Sequence, residues 1–151
     1  MMRRKDRERD RDFAWEIFDR APYGVLSMRD GQGGYGVPVS PARVGERVYF
    51  HCALAGKKLE CLAQWPEASL AVVTDIGPDY YGVFFRSAVL RGRVTVVEDG
   101  EEKRLALQAI TRRHCPGDLE SFEEYLAPRL KATCVCRMDV TEITGKERMP
   151  T

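Results

Sequence analysis

The sequence is poor in histidine and lacks several well-known catalytic motifs. It has only two histidines among its 151 residues. It also lacks a nucleophile elbow, an H-E-x-x-H pair and a Walker loop. These absences exclude the signatures of serine hydrolases, zinc proteases and nucleoside triphosphatases.

An excess of one charge sign and a long apolar run are missing as well. The 24 basic and 23 acidic residues give a net charge of +1. Such a balance does not suit a nucleic-acid-binding surface, so we expect no nucleic acid partner. No run approaches the roughly 18 apolar residues of a membrane helix, and no apolar signal segment follows the basic start. We therefore expect no membrane contact and a cytoplasmic location.

Apolar periodicity predicts about six strands with helices between and around them. The strands are expected at 24–29, 35–40, 45–52, 68–75, 83–99 and 132–143, and helices at 12–22, 56–66, 100–114 and 119–130. The strands follow one another in hairpin-like succession rather than in strict alternation with helices. This order favours an α+β, mainly β, six-stranded antiparallel sheet closed as a small barrel. We find no linker and no repeat, so residues 1–151 are expected to form one domain.

Two short motifs are weaker than they look. Gly31, Gly33 and Gly36 match G-x-G-x-x-G, but "VPVSPAR" follows where a dinucleotide site needs a helix, so we interpret them as a hairpin turn. Cys134 and Cys136 share one face of a predicted strand, yet a metal needs further ligands and neither histidine has a matching spacing. We therefore predict no metal site. The five cysteines, an odd number, are expected to be reduced thiols.

The stretch "YFHCALAGKK" breaks a local rule. A strand ends at His51 and Cys52, a small-residue turn covers 53–56, and a helix begins near Gly56 with Lys57 and Lys58 at its start. Cations are unfavourable at a helix N-terminus, but they become favourable if an anion such as a phosphate binds the free amides there. The lysines could instead simply point into solvent. His51 is then either a ligand contact or a histidine whose hydrogen bonds are satisfied within the sheet.

Two further strands carry unusual residues. Pro38 lies inside a predicted strand, where it marks an edge, a bulge or the approach of another group to the backbone. Ser87 is a small hydroxyl on the same face as Phe85, and Arg86 lies on the opposite face. A gap at Ser87 could admit a planar ring, or its hydroxyl could bond to the backbone. The sequence leaves both readings open.

Taken in order, these stretches resemble the flavin-binding split-barrel superfamily. That is the fold of pyridoxamine 5′-phosphate oxidase, and the best match is its nitroimidazole-resistance-like branch. Cys52 stands where a serine is usual in that branch. The matching pieces are "MRRKDRE" near the start, "YGVPVS" at 35–40, "VYFHCALAGKK" at 48–58, "VFFRSAVLRGRVTVVED" at 83–99 and "VTEITGKE" at 140–147.

The resemblance implies a split β-barrel homodimer with FMN in clefts at the subunit interface. Different groups of residues would contact the isoalloxazine, contact the ring edge and ribityl chain, hold the phosphate, and close the site. In that order they are Pro38, Val39 and Ser40; His51, Cys52 and Ala53; Lys57 and Lys58; and Phe85, Arg86 and Ser87.

The implied activity is that of an FMN-dependent oxidoreductase acting on a small molecule. Reduction of nitro compounds is the reaction proposed for this branch, with His51 as a candidate catalytic proton donor. Fold alone does not fix function. The same barrel could hold FMN, FAD, haem or a deazaflavin without turnover, or could be a dimer that has lost its cofactor.

Overall fold

The computed structural model describes residues Met1 to Thr151. Its regular structure consists of one sheet and four α-helices. Short 3₁₀ turns at Lys5–Arg7, Pro116–Ser121 and Ala127–Ala132 complete the chain. The strands are β1 (Glu8–Arg9), β2 (Gly24–Arg29), β3 (Gly34–Val39), β4 (Ala42–Val44), β5 (Arg47–Cys52), β6 (Glu67–Pro78), β7 (Val83–Val96) and β8 (Cys134–Arg148). The helices are α1 (Arg11–Arg20), α2 (Lys57–Gln64), α3 (Gly100–His114) and α4 (Phe122–Tyr125).

The sheet is antiparallel and curls until its two edges meet. Its strand order is β3-β2-β6-β7-β8-β5-β4. β1 pairs with Gly145 and Lys146, near the C-terminal end of β8. The outermost strands, β3 and β4, are consecutive in the chain and only Ser40 and Pro41 separate them. The edges must therefore lie side by side without a hydrogen-bonded ladder between them. This arrangement is a barrel with a seam, and it confirms the predicted fold class.

The strand count differs from the expected six because two strands are too short to show an alternating pattern. β1 has two residues and β4 has three. β4 and β5 form a hairpin whose turn contains Gly45, at φ 63°. The sequence placed that turn at the start of a single strand, 45–52. A three-residue strand after a proline carries no periodic signal.

The long strand β7 bends where the sequence predicted it would. Its register against β8 shifts between Arg91 and Gly92. A Cβ atom at Gly92 would collide with the carbonyl oxygen of Asp139 across the ladder. Glycine is thus required for the close approach of the two backbones, and the irregularity lets a 14-residue strand follow the barrel.

Two apolar clusters hold the barrel and its helices together. The larger one fills the barrel with strand residues and with the apolar stripes of α1 and α2; it includes Phe18, Leu26, Phe50, Leu62 and Leu90. The smaller one packs α3 and α4 against the outer face of β4 and β5, around Tyr49, Leu107 and Ile110. Consecutive residues of β5 therefore point into two different environments. None of the helices has the length and apolar character needed to cross a membrane.

Candidate functional site

Helix α2 begins at a glycine that leaves the first amides without a side-chain acceptor. Gly56 is the N-cap residue, with φ 151° and ψ 173°, a region occupied almost only by glycine. No side chain caps this end of the helix. The first backbone bond of the turn runs from the Glu60 amide to the Gly56 carbonyl, at 3.1 Å. The amides before Glu60 therefore have no acceptor within the helix, and they form a donor group suited to an anion.

Lys57 has a partner of its own within the chain. Its Nζ lies 3.2 Å from Oδ2 of Asp30, a carboxylate with only 13% of its side chain exposed. The same Nζ lies 4.2 Å from the ring centroid of Tyr35. The pKa of Asp30 is lowered, first by the backbone amide of Gln32 and then by Lys57. Part of the charge that the sequence assigned to a phosphate is thus offset by Asp30.

Lys58 is the free cation of the pair. It makes none of the ion pairs in the structure, and its Nζ lies 5.7 Å from the ring centroid of Phe50. It is half-buried, so its stem is packed while its charge has no carboxylate partner. Lys58 is therefore the better placed of the two lysines to attract an anion at the α2 amides.

The seam of the barrel lies beside this helix end. The β4–β5 register pairs Ala42 with Tyr49, and extending it by two residues places Ser40 beside His51. Pro38 and Ser40 are exposed, whereas the side chain of Val39 is buried in the core. The structure thus gathers the predicted residues from 38–40 and 51–58 into one region, which we call the seam site.

His51 reaches solvent on the outer face of β5, yet its pKa is lowered. Burial of part of the ring by the surrounding protein is the main cause, and the charges of Lys58 and His114 act in the same direction. The imidazole is consequently neutral at neutral pH. His114, which the sequence treated as a helix terminus only, has its Nε2 2.6 Å from the carbonyl oxygen of Pro41 at the seam.

Cys52 faces the opposite side from His51, towards the interior. Its Sγ lies within 4.8 Å of the Sγ atoms of Cys134 and Cys136. A hydrogen bond from Cys136, together with the charge of Lys58, lowers the pKa of Cys52 to about 6. The Cys52 side chain therefore points away from the seam, and only its backbone is placed for the predicted ligand contact. The sequence predicted no metal site because a third ligand was missing; the structure brings a third thiol there.

The third predicted group lies at the far end of the sheet. Arg86 pairs with Glu147 at 2.6 Å and with Asp75 at 3.4 Å, and Ser87 sits between Val73 and Lys146 in the ladder. Along β7, Ser87 is about 30 Å of strand from Val96, which pairs with Cys136 near the seam site. Within one chain, Phe85, Arg86 and Ser87 therefore do not join the seam site.

An exposed apolar surface covers the middle of the sheet. Pro38, Val25, Ala71 and Val89 follow one another across β3, β2, β6 and β7 in the strand register. Val25 and Val89 are 38% and 40% exposed, although each lies on a strand that is paired on both sides. We call this row the outer valine face. Contiguous apolar surface of this kind marks an association surface more often than a solvated one.

Two sizeable clefts of the chain lie elsewhere. They have volumes of about 780 and 760 Å³ and lie between α3 and α4 and between α3 and the β4–β5 turn. No residue from 51–58 lines either of them. The seam site therefore lies outside both of these clefts. Asp30, Tyr35 and His114 belong to its surroundings and were missed by the sequence, because only the β2–β3 hairpin and α3 bring them there.

Comparison with known proteins agrees with this fold. A family model for pyridoxamine 5′-phosphate oxidase matches residues 10–147. Among solved structures, a candidate 5-nitroimidazole antibiotic resistance protein from Bacteroides thetaiotaomicron VPI-5482 is 28% identical, with a TM-score of 0.80 over 91% of this chain and 84% of that one. The flavocytochrome Anf3 from Azotobacter vinelandii is 25% identical, with a TM-score of 0.85 over 99% of this chain and 73% of that one.

A more distant likeness supports the fold alone. The FAD- and haem-binding protein from Mycobacterium smegmatis is 21% identical, with a TM-score of 0.79 over 94% of this chain and 74% of that one. No curated protein matches the chain. The seamed barrel with a glycine-capped helix beside the seam is the architecture of a split-barrel protein. The chain belongs to the pyridoxamine 5′-phosphate oxidase family, as the sequence predicted.

Proposed function

We propose that this protein is an FMN-dependent oxidoreductase, cytoplasmic and homodimeric, with small organic nitro compounds as its substrate class. Bound FMN would supply the electron and hydride transfer. The chain itself binds and orients the cofactor, excludes water from it and holds a proton nearby. The similarity to the candidate 5-nitroimidazole resistance protein favours this substrate class.

One observation carries the cofactor proposal, namely the start of α2. Uncapped amides follow Gly56, and Lys58 stands beside them with no carboxylate partner. A terminal phosphate dianion would accept hydrogen bonds from these amides and would offset the Lys58 charge. Lys57 contributes less, because Asp30 already neutralises it at 3.2 Å. The single phosphate of FMN suits this single helix end better than the diphosphate of FAD does.

The homodimer proposal rests on the separation of the predicted site residues. His51 and Lys58 lie at one end of the sheet, and Arg86 and Ser87 lie at the other. A second copy bound to the outer valine face could bring its own Phe85–Ser87 segment to the seam site. The open seam of each chain would then become an enclosed cleft. Burial between two chains would also remove the exposed valines from water.

His51 is proposed as the catalytic proton donor. It lies on the outer face of β5 beside Ser40, within the seam site. Because its pKa is lowered, mainly by burial, the ring is mostly neutral at pH 7 and is a stronger acid when protonated. Turnover that depends on this proton should therefore rise as the pH falls below neutrality, and His51→Gln should abolish that rise.

The decisive experiment compares FMN with riboflavin, the same molecule without its phosphate. Affinities for both are measured by quenching of flavin fluorescence, with the wild type, Lys58→Ala and Lys131→Ala. Lys131 is an exposed lysine in the last 3₁₀ turn, outside α2, and serves as the control. We expect Lys58→Ala to weaken FMN at least about tenfold while leaving riboflavin unchanged. Lys131→Ala should change neither affinity.

Other outcomes would overturn parts of the proposal. Equal losses of affinity for FMN and riboflavin in Lys58→Ala would mean that Lys58 does not bind the phosphate. Tighter binding of FAD than of FMN would mean that FAD, rather than FMN, is the cofactor. If no flavin survived desalting with the wild type, the oxidoreductase reading would be wrong. With flavin bound, NAD(P)H-driven reduction of a nitroimidazole, followed by product mass, separates catalysis from mere binding.

The dimer is tested on its own. Val89→Glu places a charge in the outer valine face, and Leu105→Glu places one on a somewhat more exposed helix position. We expect Val89→Glu to give monomers in light-scattering measurements and to weaken FMN binding in parallel. Leu105→Glu should leave the dimer intact. A monomeric wild type that binds FMN normally would contradict the interfacial cleft.

A second candidate is haem binding without turnover. Anf3 is described as a flavocytochrome, and in this chain His51 and His114 lie close enough for the charge of one to affect the other. A neutral imidazole is the form that binds haem iron. A Soret band that appears on haem addition and is lost in His51→Gln would favour this candidate over flavin chemistry.

A further inference from the structure

Three cysteines from neighbouring strands converge inside one end of the barrel. Cys52, the last residue of β5, stands directly opposite Cys134, the first residue of β8. Cys136 lies two residues further along β8 and so faces the same side. The three Sγ atoms all lie within 4.8 Å of one another. We propose that these residues form a metal site for a thiolate-preferring d¹⁰ cation, the class of Zn²⁺ and Cu⁺.

The distances suit such an ion with small side-chain adjustments. A metal–sulfur bond of about 2.3 Å places the sulfurs of a trigonal site about 4.0 Å apart. The limit of 4.8 Å observed here is less than about 1 Å longer. Small rotations about the Cα–Cβ bonds, which carry the Sγ atoms, cover this difference without backbone movement. All five cysteines are free thiols in the structure, so no disulfide competes for these sulfurs.

The donor set is made of sulfur alone. Neither a histidine nor a carboxylate belongs to the cluster, and His51 points to the opposite face of β5. An all-thiolate set selects soft ions such as Cu⁺ and Zn²⁺ over Mg²⁺, Ca²⁺ and Mn²⁺, which prefer oxygen. The site is therefore specific by donor chemistry, even with only three protein ligands.

The surroundings both shield the cluster and give it access. Cys134 and Cys136 are buried and Cys52 is partly exposed. Cys136 also lines a cleft of about 350 Å³ between α2 and β7, whose walls include Leu62 and Val94. This cleft offers an entry path into apolar surroundings, which protect metal–thiolate bonds from water.

Nearby cations offset the charge that binding creates. Lys58 is close enough for its charge to act on Cys52, and Lys103 acts in the same way on Cys134. Binding forms three metal–sulfur bonds and releases one proton to solvent from each sulfur that is still a thiol, with no change of oxidation state. Three thiolates would leave Zn²⁺ with one net negative charge and Cu⁺ with two, so the lysines favour retention in both cases.

The test uses the whole chain with its natural cofactor content, reduced and stripped of metal under anaerobic conditions. Zn²⁺ and Cu⁺ are titrated separately against chromophoric competitors, and Co²⁺ serves as the spectroscopic probe of sulfur ligation. Cys52→Ser removes one ligand at the most exposed position of the cluster. Cys115→Ser removes an exposed cysteine outside it and is the matched control.

We expect the wild type and Cys115→Ser to bind one ion per chain with sulfur-to-cobalt charge-transfer absorption. Cys52→Ser should bind at least 100-fold more weakly and lose that absorption. Tighter retention of Zn²⁺ or of Cu⁺ identifies the ion. Stoichiometric binding that survives Cys52→Ser would overturn the site, as would no binding by the wild type, or a disulfide among the three in place of metal. Should Cys52→Ser unfold, Cys134→Ala measured by cobalt absorption provides the same comparison.

Discussion

Two ends of helices lie beside the seam, and the chain treats them in opposite ways. At the C-terminal end of α1, the Arg113 side chain donates to the carbonyl oxygen of Ala21 at 2.7 Å and also to that of Phe18. It donates to Pro41 at 2.8 Å as well. At the N-terminal end of α2, by contrast, the amides after Gly56 meet no side chain at all. We call the first place the Arg113 corner and the second the α2 start.

The difference separates what holds the barrel from what binds a ligand. The Arg113 corner satisfies carbonyls with a cation from α3, so the protein itself completes the helix end. The α2 start offers donors and a free lysine, so its complement is an anion from outside the chain. Changes at the corner should therefore affect folding, and changes at the α2 start should affect binding.

The largest effect is expected at the Arg113 corner. Arg113→Met keeps much of the aliphatic stem over Phe18 but leaves the carbonyls of Phe18 and Ala21 without their side-chain donor, while the Pro41 carbonyl keeps His114 as a partner. We expect the free energy of unfolding to fall by about 2 to 4 kcal/mol. Urea denaturation of Arg113→Met and of Arg112→Met, an exposed neighbour, measures this. The Arg112 variant should stay within about 0.5 kcal/mol of the wild type. Equal losses of unfolding free energy in both variants would contradict the stabilising role of the Arg113 corner.

A smaller effect is expected when the α2 start is strained. A Cβ atom at Gly56 would meet nothing within 4 Å, so the cost of Gly56→Ala comes from the backbone at φ 151° alone. We expect a loss of about 1 to 2 kcal/mol in stability, together with weaker FMN binding. Gly100→Ala is the control, since that glycine also has open space but no positive φ. Unchanged FMN affinity in Gly56→Ala would separate the turn from the proposed site.

The pH dependence of stability should also reflect the Arg113 corner, through the neighbouring His114. Burial lowers the pKa of His114, and Arg113 adds to the effect, although the hydrogen bond with Pro41 opposes it. The unfolded chain therefore binds the proton more readily than the folded one. His114 contributes stability that is present above its unfolded pKa of about 6.5 and is lost as the pH falls towards the folded value. Denaturation at pH 7.5 and 5.5 should show a shallower loss in His114→Gln than in the wild type.

The smallest effect concerns the pairing of Lys57. Asp30→Asn keeps an oxygen acceptor for the Gln32 amide but removes the charge that neutralises Lys57. We expect FMN affinity to rise a few-fold, about the value of a surface ion pair, with riboflavin affinity unchanged. Isothermal titration with both ligands measures the difference. A rise for both ligands would mean that the hairpin moved rather than that Lys57 became free.

Much of the barrel could be predicted because its signals are local. The alternation in β2, the helical stripe of α1 and the charge order of α3 each lie within one short segment. Gly92 could be assigned to the bend because β7 is too long to run straight. The α2 start was also local, since a turn, a glycine and two lysines follow one another.

The remaining features depend on which distant segments meet. The Cys52 thiol joins Cys134 and Cys136 only because β5 pairs with β8, a choice that no local pattern encodes. Asp30 neutralises Lys57 because the β2–β3 turn reaches the start of α2. Likewise, the role of Arg113 depends on α3 crossing the seam. Pairings of this kind follow from the order of the strands in the sheet, which alternation along one strand does not determine.

The seam also decides how copies of this chain can and cannot associate. β3 is an edge strand that contains Pro38, and Pro41 lies just beyond it. Neither proline has a backbone N–H that could donate to a neighbouring strand. An incoming strand would therefore find gaps in the ladder at the very edge where a sheet is most open to extension. The barrel can remain unclosed there, and accessible to a small ligand, without becoming a template for β-aggregation.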